Sequence, residues 1–283
     1  METRKKVTIS TLKNKKNKGE KAVFITAYDF PAATFANKAG VDMILVGDSG
    51  AMCLLGYQTT NEVSMDEMIM MTNAVIRGNK HAFVVGDMPF LSYQISNEIA
   101  VSNAGRFIKS GCDAIKLEGG VRMVERVRAI TDSGIAVMGH IGLTPQNMAQ
   151  MGGYKIQGKD IASFNALVED AKALEKAGAF SILLEGVTNE VAEIVKNSVS
   201  IPCYGIGAGV KLDGQLIIMH DILGTFVGEI RPKFIKVFDN IGDKITEAIS
   251  QYATEVRNAT FPAEEHFYPI SDEALSMIKK TLG

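Results

Sequence analysis

Short apolar runs recur along the chain, each ending near a polar residue or a glycine. Most are rich in β-branched residues, which favour strands. The segments between most of them, such as FPAATFANKAG and SMDEMIMMTNAVIRG, carry apolar residues at intervals of three and four, the period of an amphipathic helix. Several of these segments end on glycine, which is common just past a helix C-terminus. The eight apolar runs are AVFITAYD, MILVGDS, AFVVGDMPF, AIKLEGG, AVMGHIG, SILLEGV, PCYGIGAG and QLIIMHD.

This alternation of strand and helix is typical of an α/β protein with a parallel sheet. Near-continuous apolar strands indicate that both faces of the sheet are covered. About eight such units in roughly 250 residues predict a (β/α)8 TIM barrel, with the active site at the C-terminal ends of the strands. An open doubly wound sheet is the alternative. No linker or low-complexity segment divides the chain, so we expect a single domain over residues 1–283.

Composition narrows the functional classes. The net charge of the 283 residues is −2, which gives no indication of a nucleic-acid partner. No apolar run approaches the ~20 residues that a membrane helix requires. The basic stretch RKKVTISTLKNKKNKG has no apolar segment behind it, so we do not expect a signal peptide. We expect a short, solvated N-terminal lead-in, and an arm that binds polyanions is the less favoured alternative. Three widely spaced cysteines predict reduced thiols in a cytoplasmic protein; a catalytic cysteine is the less favoured alternative.

Polar side chains stand where six of the predicted strands end. Each acid alone could be a helix N-cap. In a barrel, however, the strand ends converge on one mouth, and several like charges gathered there favour a bound cation. Carboxylate ligands suit a hard cation, Mg²⁺ before Mn²⁺ or Zn²⁺. The six residues are Asp29, Asp48, Asp87, Glu118, His140 and Glu185.

Three further features leave alternatives open. Lys116 and Glu118 lie two apart on one strand and face the same way, so they form either a buried ion pair or a lysine that binds a substrate carboxylate beside a metal ligand. Glu185 follows three apolar residues and should be partly desolvated, which suits a general base, a metal ligand or a group that orients a neighbour. The glycines of GIGAG lack the spacing of a phosphate loop and favour close backbone packing.

These residue types indicate a reaction class. A divalent metal would hold an anionic, oxygenated substrate, and a carboxylate would remove a proton next to a carbonyl group. The resulting enolate would then attack an electrophile, or the reverse cleavage would occur.

Several motifs also carry a resemblance to a known family. From about residue 25 to about residue 267, the chain resembles the ketopantoate hydroxymethyltransferase family, which is similar to the phosphoenolpyruvate/pyruvate-binding barrels. GHIGLTPQ, GGYKIQG and the HD-x-LG segment are together highly specific. The other matching stretches are TAYDFP, LVGDS, GDMPFLSY, IKLEGG, LLEGV, GIGAG, PKFIK and FPAEEH.

The resemblance implies a pathway, two substrates and an assembly. The family uses 3-methyl-2-oxobutanoate and 5,10-methylenetetrahydrofolate to make 2-dehydropantoate and tetrahydrofolate in pantothenate synthesis. Its members are cytoplasmic homo-oligomers, typically decamers of two pentameric rings.

The resemblance also implies a role for each matched residue. Mg²⁺ would be held by Asp48, Asp87 and Glu118. The oxo acid would be surrounded by Asp48, Ser49, Asp87 and Lys116, and Glu185 would be the proton acceptor at C3. His140 matches a position near the pocket but is given no role.

Two departures and two alternative functions accompany the resemblance. The chain reads GDSGAM where the family usually reads GDSLGM, which bears on the substrate fit beside Asp48 and Ser49. Gly186 replaces a cysteine common in the family, and we expect this change to be tolerated. A C-terminal helical tail, SDEALSMIKKTL, is expected to be capped by Ser271. The alternative functions are a metal-dependent 2-oxo acid lyase or aldolase that does not use folate, and a non-catalytic barrel that senses an oxo acid or scaffolds an assembly.

Overall fold

Eight parallel strands close into a barrel in a computed structural model that describes residues 4–228 and 232–282. Each strand pairs with the next along the chain, and the eighth pairs with the first. The predicted TIM barrel is confirmed, and the alternative of an open doubly wound sheet is wrong. The strands are β1 (Ala22–Thr26), β2 (Met43–Val46), β3 (Phe83–Asp87), β4 (Ala114–Glu118), β5 (Val137–Gly142), β6 (Ser181–Glu185), β7 (Cys203–Ile206) and β8 (Gly214–Ile217).

Helices follow most strands and pack against their outer faces. One connection differs from the predicted alternation: residues 207–213, all of which the structure describes, link β7 to β8 without a helix. The helices are α1 (Ile9–Lys18), α2 (Phe30–Ala39), α3 (Gly50–Cys53), α4 (Met65–Gly78), α5 (Asn97–Lys109), α6 (Val124–Asp132), α7 (Met148–Met151), α8 (Ile161–Lys176), α9 (Asn189–Asn197), α10 (Met219–Ile222), α11 (Ile241–Arg257) and α12 (Asp272–Leu282).

The apolar side chains form two layers, one inside the barrel and one outside it. Val85 and Leu183 belong to the inner cluster. Their chain neighbours Val84 and Leu184 belong to the outer cluster, against the helices. Since successive strand residues point to opposite faces, burial on both faces explains why the strand sequences are almost continuously apolar.

The basic N-terminal segment closes the end of the barrel at which the strands begin. Val7 and Leu12 are buried in the inner cluster. The ammonium groups of Lys6, Lys15 and Lys16 lie 2.6 Å from Asp113, 3.3 Å from Asp42 and 3.6 Å from Asp213. The expectation of a solvated lead-in is therefore wrong for these residues, because their charges meet acids that precede β4, β2 and β8.

The same three acids also bind the strands. Asp42, Asp113 and Asp213 each accept a hydrogen bond from a backbone N–H of a neighbouring strand, at 2.9, 2.7 and 2.9 Å. Each carboxylate thus joins an N-terminal lysine to the strand backbone. The N-terminal segment is held against the barrel by these ion pairs and by the apolar packing of Val7 and Leu12.

Replacing Leu12 by alanine is expected to lower the free energy of unfolding by about 2–5 kcal/mol, the usual cost of emptying a buried leucine site. Leu12 is 1% exposed, whereas the adjacent Lys13 is exposed. Urea unfolding of Leu12→Ala and of the control Lys13→Ala measures the difference. Equal stabilities of the two variants would contradict a packed role for α1.

The two C-terminal helices present apolar side chains to solvent. Ile245, Ile249 and Tyr252 of α11 are all exposed, and they share one face because they are spaced by four and three residues. α12 begins after Ser271, whose hydroxyl accepts a hydrogen bond from the Ala274 N–H at 3.3 Å, as the sequence predicts. Within the described ranges, no helix has the length and apolar content needed to cross a bilayer.

Candidate active site

The inward-facing positions change from apolar to polar toward the C-terminal end of the strands. On β3, Phe83 and Val85 are followed by Asp87, and on β4, Ala114 is followed by Lys116 and Glu118. The register between neighbouring strands then determines which of these side chains lie side by side. Asp87 pairs with Lys116 across β3 and β4, and Glu118 pairs with His140 across β4 and β5. The polar side chains therefore form the top layer of the barrel interior.

A hydrogen bond links the backbone of Asp48 to the side chain of Asp87. The Asp48 N–H donates to Oδ2 of Asp87 at 3.0 Å, and both side chains are buried. Burial raises the pKa of Asp87, although the neighbouring Lys116 opposes this. Burial, together with the charge of Asp87, raises the pKa of Asp48 well above its usual value. The pair therefore carries unfavourable negative charge that a cation would stabilise.

Lys116 is the cation at the centre of the site. Its Nζ lies 2.8 Å from Oδ1 of Asp87 and 3.6 Å from Oε1 of Glu118. Burial would lower the pKa of Lys116, but the surrounding carboxylates outweigh it and raise the pKa. Lys116 is therefore charged, and its closest partner is Asp87 rather than the Glu118 considered from the sequence.

His140 connects the buried acids to Glu185. Its Nδ1 lies 3.3 Å from Oε1 of Glu118, and its Nε2 lies 3.3 Å from Oε2 of Glu185. Burial and Lys116 would lower the pKa of His140, but the two carboxylates outweigh them and raise it to about 9. Burial would likewise raise the pKa of Glu118, but Lys116 and His140 lower it. His140 therefore lies between two carboxylates that favour its protonated form, while its Nδ1 is also 3.3 Å from Nζ of Lys116.

Glu185 is the member of the cluster most open to the mouth. Its side chain is 18% exposed, against 1% for Asp87 and 1% for Glu118. It ends β6, and its backbone carbonyl accepts a hydrogen bond from the Leu143 N–H at 2.8 Å. The partial desolvation predicted from the three preceding apolar residues is present.

Ser49 and Asp29 differ in their relation to the cluster. Ser49 follows Asp48, and its hydroxyl shares a 2.8 Å hydrogen bond with the Tyr28 hydroxyl. Asp29, grouped with the strand-end acids from the sequence, is instead the N-cap of α2 and accepts a hydrogen bond from the Ala32 N–H at 2.7 Å. The capping interpretation holds for Asp29, because its carboxylate is engaged by its own helix.

The two glycine features have packing explanations. A Cβ at Gly50, within GDSGAM, would lie 2.8 Å from the Met71 sulfur and 2.9 Å from the Tyr28 ring, so a side chain there would displace the tyrosine that contacts Ser49. In GIGAG, a Cβ at Gly207 would lie 2.5 Å from the Phe234 ring. Close backbone packing, the interpretation favoured from the sequence, is confirmed for that loop.

The cysteines take no part in the cluster. Cys53, Cys112 and Cys203 are all free thiols. Burial is the main cause that raises the pKa of each to about 12, so none is a ready nucleophile at neutral pH.

The donor set fits a hard divalent cation in chemistry. Four carboxylates face one ammonium and one imidazole, so the acids outnumber the basic groups in the cluster. Among the described residues, however, no three Asp, Glu, His or Cys side chains are already arranged to hold a metal ion. The ammonium group of Lys116 lies near Oδ1 of Asp87 and Oε1 of Glu118, so a cation bound by these two acids would share those oxygens with Lys116.

Two residues of the site were missed from the sequence. Gln146 contacts both Asp48 and Glu118, and Tyr93 contacts both Gln146 and Glu118. Both lie within quoted motifs, Gln146 at the end of GHIGLTPQ and Tyr93 at the end of GDMPFLSY. Their positions in loops that follow β5 and β3 are the available signal, since such loops surround the mouth of a barrel.

Solved structures with this fold come from several enzymes. Phosphonopyruvate hydrolase in complex with oxalate and Mg²⁺ superimposes with a TM-score of 0.61 at 13% identity, covering 98% of this chain and 96% of the other. A 2,3-dimethylmalate lyase, described as a member of the PEP mutase/isocitrate lyase superfamily, gives 0.59 at 16% identity, covering 97% and 98%. At these identities the likeness supports the fold alone.

Sequence comparisons identify the family. The profile described as Ketopantoate hydroxymethyltransferase matches residues 6–264. A protein named 3-methyl-2-oxobutanoate hydroxymethyltransferase from Syntrophomonas wolfei is 52% identical over 274 residues, covering 96% of this chain and 99% of that protein. Proteins of the same name from Clostridium acetobutylicum and Nitrosopumilus maritimus are 49% and 46% identical, over 97% and 98% of this chain and 100% and 99% of their own. The chain is therefore an enzyme of the transferase class and belongs to the ketopantoate hydroxymethyltransferase family.

Proposed function

We propose that the protein transfers a one-carbon unit from 5,10-methylenetetrahydrofolate to 3-methyl-2-oxobutanoate in pantothenate synthesis. The products are 2-dehydropantoate and tetrahydrofolate, and water supplies the oxygen of the new hydroxymethyl group. One observation carries the proposal: Glu185, half-buried at the mouth, contacts His140, which in turn contacts Glu118. Glu118 belongs to a buried group with Lys116 and Asp87. Membership of the family supports the choice of substrates.

Glu185 is the proposed general base. Its exposure at the mouth lets it reach C3 of an oxo acid whose carboxylate enters first. Its contact with Nε2 of His140 fixes one carboxylate oxygen, which leaves the other for the C3 proton. Loss of that proton makes an enolate. Addition of water to the methylene carbon of the folate breaks both of its bonds to nitrogen, which releases tetrahydrofolate and leaves the carbon at the oxidation level of formaldehyde. C3 of the enolate then forms a bond to this carbon as its C=O π bond breaks, and the resulting alkoxide takes up the proton held by Glu185.

Asp48, Asp87 and Glu118 are the residues proposed to hold Mg²⁺. When bound, the ion would polarise the keto oxygen and so acidify the C3 proton. All three carboxylates are buried. Asp87 and Glu118 are the last residues of β3 and β4, and Asp48 lies two residues after β2, so the barrel strands hold two of the three directly.

Lys116 would pair with the substrate carboxylate. It is already charged and lies among acids, so an entering carboxylate would exchange one anionic partner for another. Ser49, beside Asp48, would donate a hydrogen bond from a hydroxyl that Tyr28 orients. Asp48, Ser49, Asp87 and Lys116 would thus surround the oxo acid.

The test is a complete reaction with each component omitted in turn. Purified protein is incubated with the oxo acid, methylenetetrahydrofolate and Mg²⁺, and tetrahydrofolate and 2-dehydropantoate are measured. We expect both products only in the complete mixture, and loss of both with EDTA. Turnover of a 2-oxo acid without any release of tetrahydrofolate would instead favour a lyase or aldolase. Absence of C3 proton exchange would favour a non-catalytic barrel.

Assembly and location are also proposals. By its family, we expect a cytoplasmic homo-oligomer, a decamer of two pentameric rings. The exposed apolar face of α11 supports self-association, because such faces are usually covered in solution, and the three free thiols suit a reducing compartment. Light scattering measures the mass directly; the mass of a monomer would contradict the expectation.

A further inference from the structure

Gln146 contacts two of the proposed metal ligands at once. Its side-chain Nε2 donates to Oδ2 of Asp48 at 2.9 Å, and its backbone N–H donates to Oε2 of Glu118 at 3.0 Å. These two acids come from different parts of the chain, the loop after β2 and the end of β4. A single residue from the loop after β5 therefore joins them.

The orientation of the Gln146 amide is fixed by its surroundings. Nε2 donates to Asp48 and also to the backbone carbonyl of Met88 at 3.0 Å. Oε1 accepts from the Tyr93 hydroxyl at 2.8 Å and from Nε2 of Gln94 at 3.2 Å. Both N–H donors and both lone pairs of the amide are used, and a flipped amide would bring two acceptors against its oxygen. Gln146 is also buried, so water does not compete for these bonds.

Tyr93 holds this arrangement from the other side. Its fully buried hydroxyl donates to Oε1 of Gln146 and accepts from the backbone N–H of Glu118 at 3.1 Å. A phenol hydroxyl is protonated at neutral pH, so it can donate to Gln146 while it accepts from Glu118. The backbone of Glu118 and the side chain of Gln146 are thereby tied together.

We propose that Gln146 is a positioning residue that sets the separation and orientation of the Asp48 and Glu118 carboxylates for a divalent cation, with Tyr93 holding Gln146 in place. The proposal rests on the metal site of the proposed function. Its physical basis is that each contact uses one oxygen of a carboxylate and so restricts the direction of the other. Hydrogen bonds to metal ligands act in this way generally, and their loss typically weakens metal binding by about 10–100-fold.

Gln146→Ala is the direct test, with Gln150→Ala as the matched control. Gln150 is an exposed glutamine of α7, and its amide oxygen accepts a hydrogen bond from Arg122. Mg²⁺ affinity is measured by calorimetry and Mn²⁺ affinity by electron paramagnetic resonance, both without the oxo acid. We expect Gln146→Ala to weaken both affinities by about 10–100-fold, and Gln150→Ala to leave them unchanged.

Two further variants separate positioning from general damage. Tyr93→Phe removes the hydroxyl but keeps the ring, so we expect the affinity to fall in the same direction by a smaller factor. Gln146→Glu keeps the size of the side chain but replaces the Nε2 donor, which faces Asp48 and Met88, by an acceptor. We therefore expect it to weaken metal affinity at least as much as Gln146→Ala does. A purely structural role would lower the melting temperature of the metal-free protein without changing the metal affinity of the folded fraction.

The activity readout is the Mg²⁺ dependence rather than the rate at one concentration. We expect the Mg²⁺ concentration for half-maximal activity of Gln146→Ala to rise with its dissociation constant, and excess Mg²⁺ to restore most of kcat.

Each outcome decides a different statement. A folded Gln146→Ala that binds Mg²⁺ as the wild type does would overturn the positioning role. If Gln146→Ala fails to fold, unchanged metal affinity in Tyr93→Phe would overturn it instead. If the wild type itself binds neither cation, the metal site of the proposed function fails, and the role of Gln146 at that site fails with it.

Discussion

Glu185→Gln is expected to retain binding of the oxo acid but to lose exchange of its C3 proton by about 10²–10⁴-fold, the usual contribution of a general base. The glutamine has the same shape and can still contact Nε2 of His140, yet it cannot accept a proton. Glu185 is also the most exposed carboxylate of the cluster, so its replacement disturbs the buried ion pairs least. Exchange in D₂O with Mg²⁺ and without folate, followed by NMR, measures this step alone.

The control for this variant is Glu190→Gln. Glu190 is an exposed acid in the first turn of α9, on the connection that follows β6. We expect it to exchange at the wild-type rate. Exchange retained by Glu185→Gln would show that another group takes the proton, and loss of oxo acid binding would assign Glu185 to the substrate or metal contacts instead.

The barrel could be predicted from the sequence because its signals are local. Eight apolar runs mark strands buried on both faces, and period two along β4 brings Lys116 and Glu118 to the same side. The link of residues 207–213 between β7 and β8 was the exception to the predicted alternation, because it carries no helix. Burial of the N-terminal segment was also signalled, by Leu12 within a basic run, but its charge suggested solvent.

The contacts within the site depend on features that one sequence does not specify. The Asp87–Lys116 ion pair depends on the register of β3 against β4. The position of His140 beside Glu118 depends on the register of β4 against β5. Gln146 reaches Asp48 across 98 residues of chain.

Asp29 shows the opposite case. It lies three residues after β1, and Asp48 lies two residues after β2; the geometry of the following helix makes Asp29 a cap. Position along a strand therefore selects candidates for the site, and hydrogen bonding decides among them.

Asp87→Ala is expected to weaken Mg²⁺ binding by more than about 100-fold, beyond the effect of a supporting residue, and to weaken binding of the oxo acid with it. The alanine removes the partner of Lys116 at 2.8 Å and the acceptor of the Asp48 N–H at 3.0 Å. An ammonium and a backbone donor are then left buried with fewer partners. Breaking a buried ion pair in this way typically costs about 3–5 kcal/mol of stability.

Asp87→Asn distinguishes the charge of this side chain from its shape. The amide oxygen can still accept from the Asp48 N–H, so we expect most of the stability to return, whereas Mg²⁺ affinity stays low because the neutral amide is a weaker ligand. Asp132→Asn, an exposed change at the end of α6, is the control. Oxo acid binding is measured with and without Mg²⁺, because a loss confined to the Mg²⁺ condition identifies the metal as the link between the two affinities. Unchanged Mg²⁺ affinity in both Asp87 variants would show that Asp87 is not a metal ligand. Its role would then be to pair with the buried Lys116.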